Sequence, residues 1–145
     1  MNAYLDSNIF VFASASDELI GQKCASILDW LAKGKIRGIT SSLTFDEIFF
    51  KIKKLKSEDS AILFTENFLA IPNLTLADVT GALIAEALKI IKEHKLAPRD
   101  AIHAATAKLH HAEVIVSDDK DFAKIKSPKW LNVEDFARTI EANDK

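Results

Sequence analysis

Cysteine is almost absent from this 145-residue chain, and proline (three) and glycine (four) are scarce. The lone Cys24 excludes an internal disulfide. Its neighbours Ala25, Ile27 and Leu28 mark it as a buried, inert thiol, which suits a reducing cytoplasm. So little proline and glycine, with about half the residues apolar, excludes a loop-rich or low-complexity chain and favours a helix-rich globule. No apolar stretch reaches the roughly eighteen residues of a membrane helix, and the opening MNAYLDSNIF lacks the basic run and apolar core of a secretory signal, so neither insertion nor export is expected. An excess of one charge is missing too. With a formal net charge of -2 the molecule is not a uniformly basic binder of polyanions. Charge is local, however: four acids set aside at a metal site would leave a slightly positive remainder that tolerates nucleic acid.

One domain over residues 1–145 is expected from length, and the chain reads as alternating strands and helices. Ala3 to Leu5 is a brief buried strand that ends at a helix start, Asp6-Ser7-Asn8. Leu19, Ile20, Cys24, Ile27, Leu28 and Leu31 recur at helical spacing until Gly34. Ile36 to Thr40 reads as a second strand. Ser41 and Ser42 can cap a helix whose buried stripe is Phe45, Ile48, Phe49, Ile52 and Leu55. A helix follows from about Glu58 to Ala70, then a short strand, Leu74 to Leu76. Val79 to about His94 is helical, and Pro98 opens another helix. Glu113 to Val116 is a β-branched strand, and Trp130 to Val133 is a candidate last strand before a short helix and a frayed end from Glu141. Such alternation implies right-handed crossovers and a parallel sheet covered on both faces.

In open parallel sheets, ligands gather beyond the carboxyl ends of the strands. Asp6 ends the first strand, Asp119 lies just past the V-I-V strand, and Glu47 and Asp100 fall in the first two turns of helices that can point to the same edge. Two like charges about 4 Å apart repel by roughly 4 kcal/mol at an effective dielectric near 20, so a convergence of four carboxylates calls for a cation. An all-oxygen set without Cys or His suits Mg²⁺ or Mn²⁺, which activate water and polarise phosphodiesters. Each acid also has a plainer role open to it. Asp6 can cap the following helix. Glu47 can complete a capping box with Thr44 or pair with Lys51. Asp100 complements a helix dipole, and Asp118, Asp119 and Asp121 can form a solvated turn.

Four segments, Leu5 to Asn8, Ser41 to Glu47, Arg99-Asp100-Ala101-Ile102-His103-Ala104-Ala105 and Ser117 to Phe122, together resemble the PIN-domain family, in particular its VapC toxin branch. The resemblance implies a three-layer α/β/α fold with a central parallel sheet in the order 3-2-1-4-5. It also implies a metal-dependent endoribonuclease that hydrolyses RNA phosphodiester bonds with Mg²⁺ or Mn²⁺. On matching motif positions Asp6, Glu47, Asp100 and Asp119 correspond to the family's metal ligands and catalytic acids, while Asn8 and Ser117 correspond to polar residues that orient the site. Ser117 stands where threonine is usual. Asp118 is an added acid, so the choice between Asp118 and Asp119 stays open, and Asp121 is a candidate supporting ligand. The implied setting is a type II toxin–antitoxin pair in the cytoplasm: a homodimer restrained by a small antitoxin whose C-terminal segment wraps the active-site groove. A housekeeping PIN nuclease without antitoxin, and a catalytically silent RNA-binding or assembly domain, are the alternatives.

Other residues remain. His103, three positions past Asp100, can touch substrate or be a hydrogen-bonded, half-buried histidine, the reading favoured here. His103, His110 and His111 fit no common closed zinc site. Arg99 can meet phosphate or simply be exposed. Lys51, Lys53, Lys54 and Lys56 form a solvated face or an RNA contact. Phe50, Phe64 and Phe68 are interface candidates, with core burial the commoner fate. A phosphoryl-accepting α/β domain is set aside because Asp6-Ser7-Asn8 lacks the second acid of a D-x-D pair.

Overall fold

Local signals divide the chain as the hydrophobic spacing suggests, and the computed structural model describes residues 1–145 throughout. In chain order the elements are β1 (Asn2–Leu5), α1 (Ser7–Ala15), α2 (Leu19–Ala32), β2 (Arg37–Ser41), α3 (Leu43–Leu55), α4 (Glu58–Leu69), β3 (Leu74–Ala77), α5 (Gly81–His94), α6 (Pro98–Leu109), β4 (Val114–Val116), a 3-10 turn (Lys120–Lys124), β5 (Lys129–Leu131) and α7 (Val133–Asn143). Side-chain caps define several helix starts: Ser57 accepts from the Ser60 N–H (3.0 Å), Thr80 from that of Leu83 (3.1 Å) and Asn132 from that of Asp135 (2.8 Å). Each satisfies one donor that the first helical turn leaves orphaned. Gly34, with φ of 74°, follows the end of α2 in the left-handed conformation that only glycine adopts without penalty.

The five strands form one parallel sheet in the order β3-β2-β1-β4-β5. Strand alternation splits the core in two. Ala3 and Leu5 of β1, with Val114 and Val116 of β4, face Ile9, Phe10, Ile27, Leu31, Ile48, Ile52 and Phe136. Tyr4 and Ile115 face the opposite layer, with Leu83, Ala87 and Ile90 of α5 and Ala101, Ala104 and Ala105 of α6. The fully buried alanines of α6 have almost no side-chain bulk, which lets this helix lie close over the sheet. The result is the α/β/α layering and strand order that the resemblance implies. No helix is long and apolar enough to cross a membrane.

Four expectations change. Of the stripe expected to be buried on α3 only Ile48 and Ile52 are, while Phe49 is half-buried and Phe45 and Leu55 are exposed. The last strand is Lys129–Leu131 rather than Trp130 to Val133, because Asn132 caps α7 and Val133 is already helical. Helix α7 runs to Asn143, so the end is not frayed from Glu141: Phe136 and Ile140 are buried, and Lys35 pairs with Asp144 at 2.7 Å. Thr44 forms no capping box with Glu47. It lies inside α3, and its buried hydroxyl meets that of Thr40 at 2.7 Å, while Thr40 donates to the Leu5 carbonyl at 2.8 Å.

Two glycines of the helices behave oppositely. A Cβ on Gly21 would sit 2.0 Å from the Ser16 carbonyl oxygen and 2.9 Å from that of Phe12, both fixed backbone where α1 turns into α2, whereas one on Gly81 would meet nothing. Gly21→Ala should therefore lower stability by about 2 kcal/mol or more, an overpacking cost, while Gly81→Ala should be neutral or stabilising by up to about 1 kcal/mol. Chemical denaturation of the two variants checks this, and equal stabilities would contradict the close approach.

Candidate functional site

The paired strands β1 and β4 end together, with Leu5 opposite Val116, so the next residues, Asp6 and Ser117, emerge side by side at the carboxyl edge of the sheet. Asp6 is 5% exposed. Its Oδ1 accepts from the Ser7 N–H at 2.8 Å, which caps α1, and its Oδ2 accepts from the Ser117 hydroxyl at 2.6 Å. Asn8 donates through Nδ2 to Ser117 Oγ (3.1 Å) and to Asp6 Oδ2 (3.4 Å). Capping and site-building are thus not alternatives for Asp6. Each carboxylate oxygen has two lone pairs, and the capping bond leaves others available.

Glu47 reaches this edge from α3. It pairs with neither Thr44 nor Lys51; its Oε1 lies 2.5 Å from Nε2 of His103 on α6. The His103 ring is fully buried, more so than the half-burial expected. Its Nδ1 meets the Tyr4 hydroxyl, and its Nε2 lies 3.6 Å from Asp6 Oδ1. Burial disfavours the charged ring, but the Glu47 hydrogen bond and the negative Asp6, Glu47 and Asp100 outweigh it and raise the His103 pKa. Tyr4 is held well above the usual phenol range by burial, reinforced by Asp6.

The second group is Asp100 of α6 with Asp119 and Asp121, whose carboxylate oxygens lie within 4.8 Å of one another; those of Asp6 and Glu47 lie equally close together with the ring of His103. Asp119 caps the 3-10 turn by accepting from the Asp121 N–H at 2.9 Å, and its own N–H donates to Ser117 Oγ at 3.0 Å. Asp100 is pushed up to about 6 by burial first, then by the negative charges of Asp119 and Asp6. That rise reflects burial first and the nearness of the other carboxylates second.

The four acids therefore stand in two groups, Asp6 with Glu47 and Asp100 with Asp119, which adjoin through the Ser117 hydroxyl and through the charge of Asp6 felt at Asp100; His103 is the basic partner of Asp6 and Glu47, and the ion pairs of lysine and arginine lie elsewhere. Asp118 is not in either group. It lines a different cavity, with Leu19, Ile20, Lys23 and Asn132, while its N–H donates to Asn8 Oδ1 at 3.3 Å. Arg99, His110, His111, Lys51, Lys53, Lys54 and Lys56 are exposed on the surface. Phe68 packs edge-on against Phe10 in the core, which removes it from the interface candidates; Phe64 is half-buried and Phe50 is 65% exposed. Cys24 is buried, its thiol pushed up to about 12 by that burial.

Sequence reasoning missed Tyr4. Its only signal was a polar tip in an apolar strand two residues before Asp6, and its partner His103 is 99 positions away. The carboxylates, which no lysine or arginine neutralises, form a hard-oxygen donor set that fits a divalent cation such as Mg²⁺ or Mn²⁺. Cysteine is absent from it, and both nitrogens of the one histidine already face protein partners.

The geometry can be set beside known proteins. No curated protein matches the chain. Among solved structures it is similar to VapBC2 from Rickettsia felis bound to a DNA fragment from their promoter, with a TM-score of 0.72 and 20% identity over 91% of this chain and 98% of that one. DNA-bound VapBC from Salmonella typhimurium gives 0.72 and 16% over 92% and 98%. VapC20 from Mycobacterium tuberculosis, a Sarcin-Ricin loop cleaving toxin, gives 0.69 and 14% over 83% and 92%. At such identities the likeness is one of fold. The PIN domain family pattern matches residues 3–128, from the first strand to the threshold of the last. Carrying that pattern on the 3-2-1-4-5 parallel sheet, the protein belongs to the PIN domain family.

Proposed function

We propose that the chain is the toxin of a VapBC-like type II toxin–antitoxin pair, an endoribonuclease that hydrolyses RNA phosphodiesters with Mg²⁺ or Mn²⁺ held by Asp6, Glu47, Asp100 and Asp119. The observation that supports this reading is the pair of adjoining acidic groups, Asp6 with Glu47 and Asp100 with Asp119, without a lysine or arginine among them. An acidic cluster built only for stability would be paired with cations of the chain itself. When bound, a divalent cation supplies Lewis-acid activation of water and of the scissile phosphate. The chain's own residues hold the ligands: Ser117 and Asn8 orient Asp6, His103 orients Glu47, and the Asp121 N–H orients Asp119. An antitoxin partner is supported by the neighbouring solved complexes, VapBC and FitAcB from Neisseria gonorrhoeae among them. A cytoplasmic homodimer completes the reading.

Two measurements test it. On labelled RNA, wild type should cut with Mg²⁺ or Mn²⁺ and stop with chelator, while Asp6→Asn and Asp100→Asn should each lose on the order of a hundredfold or more in rate. Undiminished cutting by both variants would end the proposal.

The second measurement follows from the Asp100 carboxyl, which titrates at about 6 in the folded protein against an ordinary 3.8. Between these values the folded state holds a proton that the unfolded state has released. The stability this gives is complete below about 4 and is lost as pH rises through about 6. Metal-free Asp100→Asn should accordingly melt above metal-free wild type at pH 7, with the gap closing toward pH 4, and saturating Mn²⁺ should raise wild type alone. A variant that melts lower at every pH would show Asp100 acting as a structural acid.

A further inference from the structure

Four elements contribute to one buried chain of hydrogen bonds that ends on Glu47. The Ser41 N–H of β2 points at the Tyr4 hydroxyl of β1 at 3.1 Å, Tyr4 faces His103 Nδ1 of α6 at 2.5 Å, and His103 Nε2 faces Glu47 Oε1 of α3 at 2.5 Å. Its direction follows from chemistry. A backbone N–H only donates, so a lone pair of the Tyr4 oxygen is taken by Ser41. A carboxylate only accepts, so His103 Nε2 carries a hydrogen and donates it to Glu47 Oε1, while Tyr4 holds the ring from the opposite side at Nδ1. The opposite tautomer would set a ring lone pair against Glu47 Oε1 in a fully buried site, and it would leave the tyrosine proton without that acceptor.

We propose that Tyr4 and His103 are positioning residues that clamp Oε1 of Glu47 through this one-way relay and so leave its other oxygen to the cation. The inference rests on the reading of Glu47 as a metal ligand. Glutamate has three rotatable side-chain bonds, and an unclamped Glu47 on half-buried α3 would give up rotamer freedom each time it engaged an ion. A clamp anchored at the sheet edge sets that orientation in advance. It also keeps His103 from being a ligand, since Nε2 is committed as a donor.

The full chain, stripped of metal, allows a test that does not depend on RNA cutting. Nitrogen-15 NMR of wild type should find His103 protonated on Nε2; a ring bearing hydrogen on Nδ1 alone would overturn the relay. By calorimetry with Mn²⁺, His103→Leu should weaken binding by roughly 10- to 100-fold, the usual weight of an outer partner of a metal ligand. His103→Gln, whose amide can again direct an N–H at Glu47, should recover much of the loss. Tyr4→Phe, a one-atom change, should weaken binding as well, and carries the comparison if His103→Leu does not fold. In a Glu47→Ala background the His103→Leu and Tyr4→Phe effects should vanish. Equal losses for Leu and Gln, or no loss for Tyr4→Phe, would refute the clamp while Glu47→Ala still weakens Mn²⁺ binding. Wild-type affinity in Glu47→Ala would instead remove the ligand role of Glu47, and the clamp with it.

Discussion

The parallel pairing of β1 with β4 is the constraint on which the rest depends. Leu5 opposite Val116 fixes the register, and one step further along each strand the chain delivers Asp6 and Ser117 within hydrogen-bonding distance. These two strands lie where the connections change direction: from β1 the chain moves outward through β2 to β3, then crosses back to β4 on the other flank. Helices leaving such a point diverge, and in open parallel sheets ligands gather at that carboxyl edge. A one-residue slip would turn Asp6 into the core face and take it from that edge.

Around that edge the fold holds negative charge in place without cancelling it. Asp6 is secured by a backbone N–H, a hydroxyl and an amide, Glu47 by an imidazole, and Asp119 by a backbone contact to its neighbour. The backbone, hydroxyl and amide donors carry no net charge and fix geometry without cancelling the acids, and His103 is the one basic group that faces them. At half-buried Asp100, burial first and the charges of Asp119 and Asp6 second push the carboxyl up to about 6. A lysine in the same place would have settled the charge and closed the site.

What was legible in the sequence was local. Alternation in V-I-V, the three-and-four spacing of Leu19 to Leu31, and stop or cap residues such as Gly34 act within a few positions, and the elements follow them. The R-D-A-I-H-A-A segment placed Asp100 and His103 on one face of a helix whose alanines let it approach the sheet. Partnerships across the chain were not legible. Thr44 looked like a cap by spacing, yet its hydroxyl meets that of Thr40, which is near in sequence but is held there by its own bond to the Leu5 carbonyl of β1, 35 positions away. Tyr4 read as one more apolar strand residue because nothing near it in sequence marks the histidine that it meets. The last strand and α7 were misjudged by two residues because Asn132 was not recognised as a cap.

Asp118 and Asp119 show how two adjacent acids are sent to different places by the bonds of their backbone amides. The N–H of Asp118 donates to Asn8 Oδ1, and that of Asp119 to Ser117 Oγ. Both bonds have only one possible direction, so they orient the Asn8 amide: its oxygen faces the loop, and its NH₂ faces Ser117 and Asp6. Anchored at two consecutive amides, the loop sends Asp119 toward Asp100 and Asp118 toward the cavity beside Lys23. An aspartate at position 8 would keep the acceptor for the loop but lose the donor to Asp6, and would add a further charge beside a carboxylate that is already buried. The amide is thus the one side chain of that size able to bind the loop and the acid together, which explains physically why the sequence reads D-S-N here and not D-S-D.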